Sequence, residues 1–334
     1  MAKKGNISVG ILGIGSSTPE KILTNSDLEK MVETSDEWII KRTGISERRI
    51  LPEDKPTYTM AVDAAKHALS DSGLSAEDID LIIVSTSTPD YLTPTTSCII
   101  QREIGAKNAA AFDMGAACTG FLYGMTVAMQ FIETGYYKHV LLVSSESMSK
   151  VVDWTDRNTC VLFGDGAGAV ILGKVEDGYG ILSAYIGSDG TNGNSITIPC
   201  LYMPEQDVER RTAYKNKKTI WQDGQEVFKF AVRVMPMAIE KVIENTGVTI
   251  EDVKYVIPHQ ANLRIIEGAA KRLGIGTDKV YTTIRKFGNI SSASIPVAMA
   301  DAYNEKCLNK GDYLVLVGFG GGLTWASALL KWSK

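Results

Sequence analysis

Three side chains of complementary chemistry stand far apart in the sequence: Cys118, His259 and Asn289. Cys118 lies in Asp113-Met114-Gly115-Ala116-Ala117-Cys118-Thr119-Gly120-Phe121, a run of small residues. The apolar pattern Phe121, Leu122, Met125, Val127, Ala128, Met129, Phe131, Ile132 follows and predicts a buried helix. Cys118 then sits at a strand-to-helix turn, where unpaired amides and the helix dipole favour a thiolate. Its small neighbours leave room for a ligand. Such a cysteine is either a nucleophile or a buried structural thiol. His259 follows Tyr255-Val-Ile-Pro258, just past the end of a predicted strand, the edge at which α/β sheets carry their chemistry. The other histidines, His67 in an amphipathic helix and His139 at the start of a strand, read as structural. A thiolate attacks an activated acyl group and holds it as a thioester. An imidazole and an amide donate hydrogen bonds to a thioester carbonyl as an enolate develops. The amides of Gly320 to Gly322, with that of Cys118, can form an oxyanion hole.

The elements that must position these groups follow an α/β pattern that occurs twice. Strands are predicted at 7–15, after Glu77-Asp78, before Met114, from Tyr137 and after Phe163, with helices over 57–72 and 96–104. The 57–72 helix turns Ala61, Ala64, Ala65, Ala68 and Leu69 inward, and Asn25 or Ser26 caps a short helix before it. Residues 188–225 are rich in Gly, Asn, Lys and Glu and read as a surface excursion, a kind of connection that is often functional. After it come a helix over 227–244, a strand to Pro258, a helix over 262–273, a small-residue helix after Asn289 and two terminal strands. Gly73 and Gly247 each end a helix, and Glu77-Asp78 and Glu251-Asp252 each introduce a strand, at an offset of 251 − 77 = 174. Cys118 shifted by 174 falls at 292, within three of Asn289. The chain thus divides into similar halves, 1–180 and 181–334, whose approximate twofold would bring Cys118 and Asn289 together at related helix starts.

Composition excludes several classes. The 334 residues carry 44% hydrophobic and 22% charged side chains, as soluble globular proteins do. A net charge of −4 argues against a general nucleic-acid binder. Met1-Ala-Lys-Lys is followed by too short an apolar stretch for a secretory core, and no apolar run approaches the roughly 18 residues that span a bilayer. Five scattered cysteines without a C-x-x-C suit a reducing cytoplasm and no zinc site; with one convincing histidine, no metal is expected. Gly10 to Gly15 ends a strand without opening a helix, which discounts a nucleotide-dependent oxidoreductase. A papain-like protease would also use Cys, His and Asn, but its local cysteine signature is absent. Trp38 and Arg42 share a helix face and either clamp an aromatic base or pack on each other.

Ala116-Ala-Cys-Thr-Gly-Phe, Pro258-His-Gln-Ala-Asn-Leu-Arg, Phe287-Gly-Asn-Ile-Ser-Ser-Ala-Ser-Ile-Pro and Phe319-Gly-Gly-Gly-Leu-Thr-Trp, in that order, resemble the motifs of β-ketoacyl-[acyl carrier protein] synthase III of the thiolase superfamily. The likeness extends to Thr34-Ser-Asp-Glu-Trp and Phe163-Gly-Asp-Gly-Ala-Gly and so covers nearly the whole chain. It implies a five-layered αβαβα thiolase-like fold, a cytoplasmic homodimer, and no permanently bound cofactor. It also implies ping-pong chemistry: an acyl group passes from acyl-CoA to Cys118, then condenses with malonyl-[acyl carrier protein] with loss of CO2, the opening step of fatty acid biosynthesis. By the same resemblance Cys118, His259 and Asn289 are catalytic, and Gly321 shares the oxyanion hole with the Cys118 amide. Trp38, Arg42, Arg157, Gly224 and Asn262 hold coenzyme A. Arg264 and Lys271 meet the acidic carrier protein. Thr93, where some relatives carry phenylalanine, implies a roomier acyl pocket. Ala326 replaces a frequent glycine, which matters only if the backbone there needs a positive φ. A starter-unit ketosynthase or acyltransferase of a polyketide pathway would use the same residues. A non-catalytic partner on the same fold would have no need of all three catalytic types.

Overall fold

The computed structural model describes residues 7–214 and 216–334; the Met1-Ala-Lys-Lys segment read above for targeting lies outside them. The first sheet contains β1 (Val9–Ser17), β2 (Leu81–Ser85), β3 (Ala110–Met114), β4 (Val140–Ser147) and β5 (Asp165–Lys174), in the order β1-β5-β4-β2-β3. The second contains β6 (Gly180–Ser188), β7 (Val253–Pro258), β8 (Tyr313–Gly320) and β9 (Thr324–Lys331), in the order β7-β8-β9-β6. The two orders match element for element. β5 is antiparallel to β1 and β4, as β9 is to β6 and β8. β2 is parallel to β4, as β7 is to β8. β3 finds its counterpart in a parallel bridge from Val256 to Val280.

Seven helices complete the frame: α1 (Asp36–Thr43), α2 (Tyr58–Ser72), α3 (Thr96–Ile104), α4 (Gly120–Glu133), α5 (Gly224–Ile243), α6 (Leu263–Leu273) and α7 (Ser294–Asn304). The strands alternate their faces, as a pleat requires. Leu81, Ile83, Val140 and Leu142 face α4 and α7 in the middle of the molecule, together with Leu314 and Leu316 of the second sheet. Ile82, Val84, Leu141 and Val143 face α2 and α3 on one outside. Val315, Val317 and Leu329 face α5 and α6 on the other. The result is the five-layered αβαβα thiolase-like fold expected. The central layer explains the lack of a polar face on α4 and α7: both are covered by a sheet on each side.

Glycines in β1 serve this packing rather than a phosphate. A Cβ on Gly13 or Gly15 would lie 2.2 or 2.4 Å from the Ala68 or Ala64 carbonyl oxygen of α2. Three local expectations change. Thr24, not Asn25 or Ser26, caps the short Asn25–Leu28 helix, through a reciprocal pairing with Asp27. Gly73 caps α2 in the left-handed conformation, whereas α5 stops at Ile243, ahead of Gly247, because Asn245 already turns left-handed with φ 62°. The 188–225 excursion is ordered: Ile196–Thr197 pairs with Trp221–Gln222, and the buried Arg211 guanidinium ties Asp207, Thr197 and Thr219 together. Ala326 lies inside β9 without a positive φ, so the missing glycine costs nothing there.

Candidate active site

Cys118 stands in a 3-10 turn, Ala117–Thr119, that runs into α4 at Gly120. The second half repeats this turn at Ser291–Ala293, running into α7 at Ser294. Ala117 and Ser291, 174 residues apart, hold left-handed φ values of 45° and 46° although neither is glycine. The true counterpart of Cys118 is therefore Ser292, and Asn289 sits in the approach to the turn. Such strained turns project a side chain from a helix start into open space. The Cys118 turn packs so closely on the end of β8 that a Cβ on Gly320 would lie 2.8 Å from the Cys118 amide nitrogen.

Cys118, His259 and Asn289 line one cavity of about 130 Å³, together with Gly321, Gly224 and Asn262. His259 is 1% exposed, just past β7, with its backbone N–H donating to Val317 O at 2.8 Å. Burial lowers its pKa to about 3, so the imidazole is neutral, and its Nδ1 is buried without a hydrogen-bond partner. The ring meets Phe319 edge-on, with centroids 5.6 Å apart. Asn289 is held through its backbone: its N–H donates to Leu162 O at 2.9 Å and its carbonyl accepts from Gly164 N–H at 3.0 Å. Its Oδ1 accepts from the Ser291 N–H at 2.9 Å, which leaves the Nδ2 donor for a substrate.

The Cys118 sulfur departs from the expected thiolate. Burial pushes the thiol up to about 12, and the Glu146 charge adds to the effect; a hydrogen bond with Ser291 opposes it. The Cys118 Sγ and Ser291 Oγ are 3.6 Å apart, and Ser291 Oγ donates on to Glu146 Oε1 at 3.1 Å. Glu146 is fully buried and accepts also from Ser292 Oγ at 2.7 Å, Thr88 Oγ1 at 2.9 Å and Ser87 N–H at 3.0 Å. Burial raises its pKa above the usual carboxylate range, against these hydrogen bonds. Sequence reasoning missed Glu146, Ser291 and Ser292. The one available signal was a carboxylate inside an otherwise buried run, Val140–Ser147. It also missed the excursion's contribution to the cavity wall, Ile196, Ile198, Ile220 and Gln222.

On α1, Trp38 carries two guanidiniums, with Arg42 and Arg157 Cζ each 5.4 Å from a ring centroid of Trp38. Asn262 caps α6 by accepting from Arg264 N–H at 2.9 Å and donates to Arg42 O at 3.0 Å, joining α6 to α1. Arg264 and Lys271 are exposed on α6 outside the cavity, with Arg264 Cζ 6.0 Å from the Phe228 ring. Thr93, like Arg264 and Lys271, does not line this cavity. It is exposed in the loop before α3, with its hydroxyl donating to Leu92 O at 2.9 Å. The same loop is pinned outward by Asp90, which accepts from the Thr57 and Tyr58 amides. Among the described residues no cluster of three or more His, Cys, Asp or Glu could hold a metal ion, and no helix is long and apolar enough to cross a membrane.

An αβαβα fold with a cysteine at one central helix start defines a condensing acyltransferase of the thiolase type. Residues 112–190 match the family model for 3-oxoacyl-[acyl-carrier-protein] synthase III, and residues 243–332 match the model for its C-terminal part. The chain is 54% identical over 330 residues to the β-ketoacyl-[acyl-carrier-protein] synthase III of Caldanaerobacter subterraneus, covering 98% of this chain and 99% of that one. Identity to synthase III 1 of Bacillus cereus is 52%, covering 98% and 100%. The crystal structure of 3-oxoacyl-[acyl-carrier-protein] synthase III from Aquifex aeolicus superposes with a TM-score of 0.90 at 44% identity, covering 97% and 100%. The priming β-ketosynthase of the R1128 polyketide pathway gives 0.90 at 36% identity, covering 100% and 99%. The chain belongs to the β-ketoacyl-[acyl carrier protein] synthase III family.

Proposed function

We propose that this enzyme moves an acyl group from acyl-CoA to Cys118 and condenses it with malonyl-[acyl carrier protein], releasing CO2 and β-ketoacyl-[acyl carrier protein], and so initiates fatty acid biosynthesis. The convergence of Cys118, His259 and Asn289 on one cavity carries this reading. The Cys118 sulfur attacks the thioester carbonyl as its proton passes toward Ser291 and Glu146. The oxyanion sits on the Cys118 and Gly321 amides. The C–S bond to coenzyme A breaks, and coenzyme A leaves as the thiol after regaining that proton. Malonyl thioester then enters. With Nδ1 lacking a partner, a neutral His259 carries its proton on Nε2 and donates it, with Asn289 Nδ2, to the thioester oxygen. CO2 leaves, the enolate carbon attacks the acyl carbonyl, the C–S bond to Cys118 breaks, and the expelled thiolate takes up one proton from solvent.

Trp38, Arg42 and Arg157 would grip the adenine and phosphates, with Gly224 and Asn262 beside the pantetheine arm. Exposed Arg264 and Lys271 would meet the acidic carrier protein. The chain would work in the cytoplasm as a homodimer, each protomer dividing at 180/181, close to the start of β6. The 36% identity to a polyketide priming ketosynthase supports a second reading, in which the same acyl-enzyme serves a secondary pathway.

Intact-mass analysis with a panel of acyl-CoAs tests the first step. Wild type gains the mass of the acyl group, Cys118→Ala does not, and malonyl-[acyl carrier protein] discharges the adduct with release of CO2. An adduct that discharges without CO2 release would favour acyl transfer without condensation. No adduct from any acyl-CoA would defeat the proposal.

A further inference from the structure

Arg48, in the short strand Glu47–Arg49, is 0% exposed and is among the largest fully buried side chains of the molecule. Burial lowers its pKa to about 10, so it remains a cation at neutral pH. The three oxygens that accept from it are not carboxylates: Asn25 Oδ1 at 2.8 Å, Leu23 O at 3.2 Å and Val161 O at 2.7 Å. The neighbouring Glu47 favours the charge, but among the described residues no carboxylate is hydrogen-bonded to it, and a buried guanidinium held by neutral oxygens is expensive, so packing alone does not call for one.

Its contacts lead in two directions. On one side Val161 precedes the 162–164 segment that holds the Asn289 backbone at both its N–H and its carbonyl. The Arg48 stem supports the same place: a Cβ on Gly164 or Gly288 would lie 3.1 or 3.4 Å from Arg48 Cβ. These glycines border the bridge between Phe163 and Asn289. On the other side Asn25 Nδ2 donates to Asp36 Oδ1 and to Ile45 O, both at 2.8 Å, and so ties down both ends of α1. That helix carries Trp38 and Arg42.

We propose that Arg48 is a positioning residue for Asn289: its guanidinium fixes the 161–164 segment against the frame of α1 and thereby sets the amide that acts on the malonyl thioester. The inference rests on the role of Asn289 given above. The Cys118 turn itself is carried by β3, α4 and β8, so acylation read at saturating acyl-CoA, where the grip of α1 on coenzyme A no longer limits the rate, is the step least tied to this segment. The two half-reactions should therefore separate.

The test uses the full-length enzyme and two single-turnover measurements: acylation of Cys118 by acyl-CoA, read by intact mass, and condensation of the preformed acyl-enzyme with malonyl-[acyl carrier protein]. In Arg48→Lys the charge and stem remain, but one ammonium cannot reach Asn25 and Val161 together. Condensation should slow by about tenfold or more through kcat rather than KM, with acylation within about threefold of wild type. Arg48→Met should show the same split more strongly. If neither variant folds, Asn25→Ala, which removes one of the three acceptors, should show it at smaller size. Equal slowing of both steps, or of neither, would overturn the proposal. Asn289→Ala separates the two claims: if it slows condensation while Arg48→Lys does not, the positioning role fails alone; if it too leaves condensation unchanged, the role of Asn289 itself fails.

Discussion

The Ser291 hydroxyl lies 3.6 Å from the Cys118 sulfur, so a residue from the second half of the chain touches the nucleophile of the first. Ser291 passes this contact on to the buried Glu146 at 3.1 Å. The thiol donates to Ser291 Oγ, and once Cys118 ionises that hydroxyl can turn from Glu146 to donate to the thiolate, so its removal should raise the thiol pKa further. In Ser291→Ala the rate of Cys118 alkylation by iodoacetamide at pH 8 should fall about tenfold or more, the scale of a hydrogen bond to a charged group. The alkylation-versus-pH curve should move to higher pH. An unmoved curve would remove Ser291 from the proton path.

Neutral, buried His259 links stability to acid. Its folded pKa of about 3 lies below the unfolded value of 6.5, so the unfolded chain binds a proton that the native one refuses. The contribution is fully present above pH 6.5 and is lost as pH falls toward 3. Between pH 7.5 and 5 wild type should lose about 2 kcal/mol more than His259→Gln, measured by urea unfolding at both pH values. Parallel losses in the two proteins would mean that His259 is not held neutral.

Two adjacent glycines should behave differently. A Cβ at position 320 meets the Cys118 backbone at 2.8 Å, whereas one at 321 meets nothing closer than 3.6 Å. Gly320→Ala should destabilise the fold by about 1–3 kcal/mol and slow Cys118 acylation. Gly321→Ala should melt like wild type. Equal melting temperatures for the two variants would contradict the close packing of the turn on β8.

The cluster around Trp38 gives a substrate-dependent prediction. Trp38→Ala should raise the KM for acyl-CoA about tenfold and leave acylation by an acyl-pantetheine, which lacks the adenosine, unchanged. A similar loss with both donors would indicate a packing role instead.

Arg264→Glu should act on the other substrate. The KM for malonyl-[acyl carrier protein] should rise, and its dependence on salt should weaken, with the KM for acyl-CoA unaltered. Unchanged kinetics with the carrier protein would move the docking surface away from α6.

Cys118 and His259 stood out without a structure because each carries a local signal, small residues before a helix and a strand end; Asn289 was reached from an offset of 174 that falls on Ser292, and the fold brings all three to one cavity. Apolar periodicity showed an α/β pattern occurring twice, since it reports which elements are covered; the five-layered arrangement was implied by the family resemblance. Thr93 lies in a loop whose course depends on Asp90 capping the start of α2, a contact spanning 33 residues that leaves no local sign in the sequence. Arg48 carries no local sign of its surroundings, and Glu146 only its place inside a buried run. A carboxylate or guanidinium becomes tolerable in the interior only when distant segments supply its partners, here hydroxyls up to 146 residues away and a carbonyl 113 residues away.

The sequence by itself determined most of the element order, though not the strand Gly180–Ser188, and the residue types available for acyl transfer. The tertiary structure alone decided that Asn289 sits in the approach to the second turn and not in it, that burial favours the thiol over the thiolate at Cys118, and which buried groups surround it. Secondary structure and burial follow from patterns written along the chain. Protonation and hydrogen bonding in a buried site follow from which groups the fold brings together after removing water from between them.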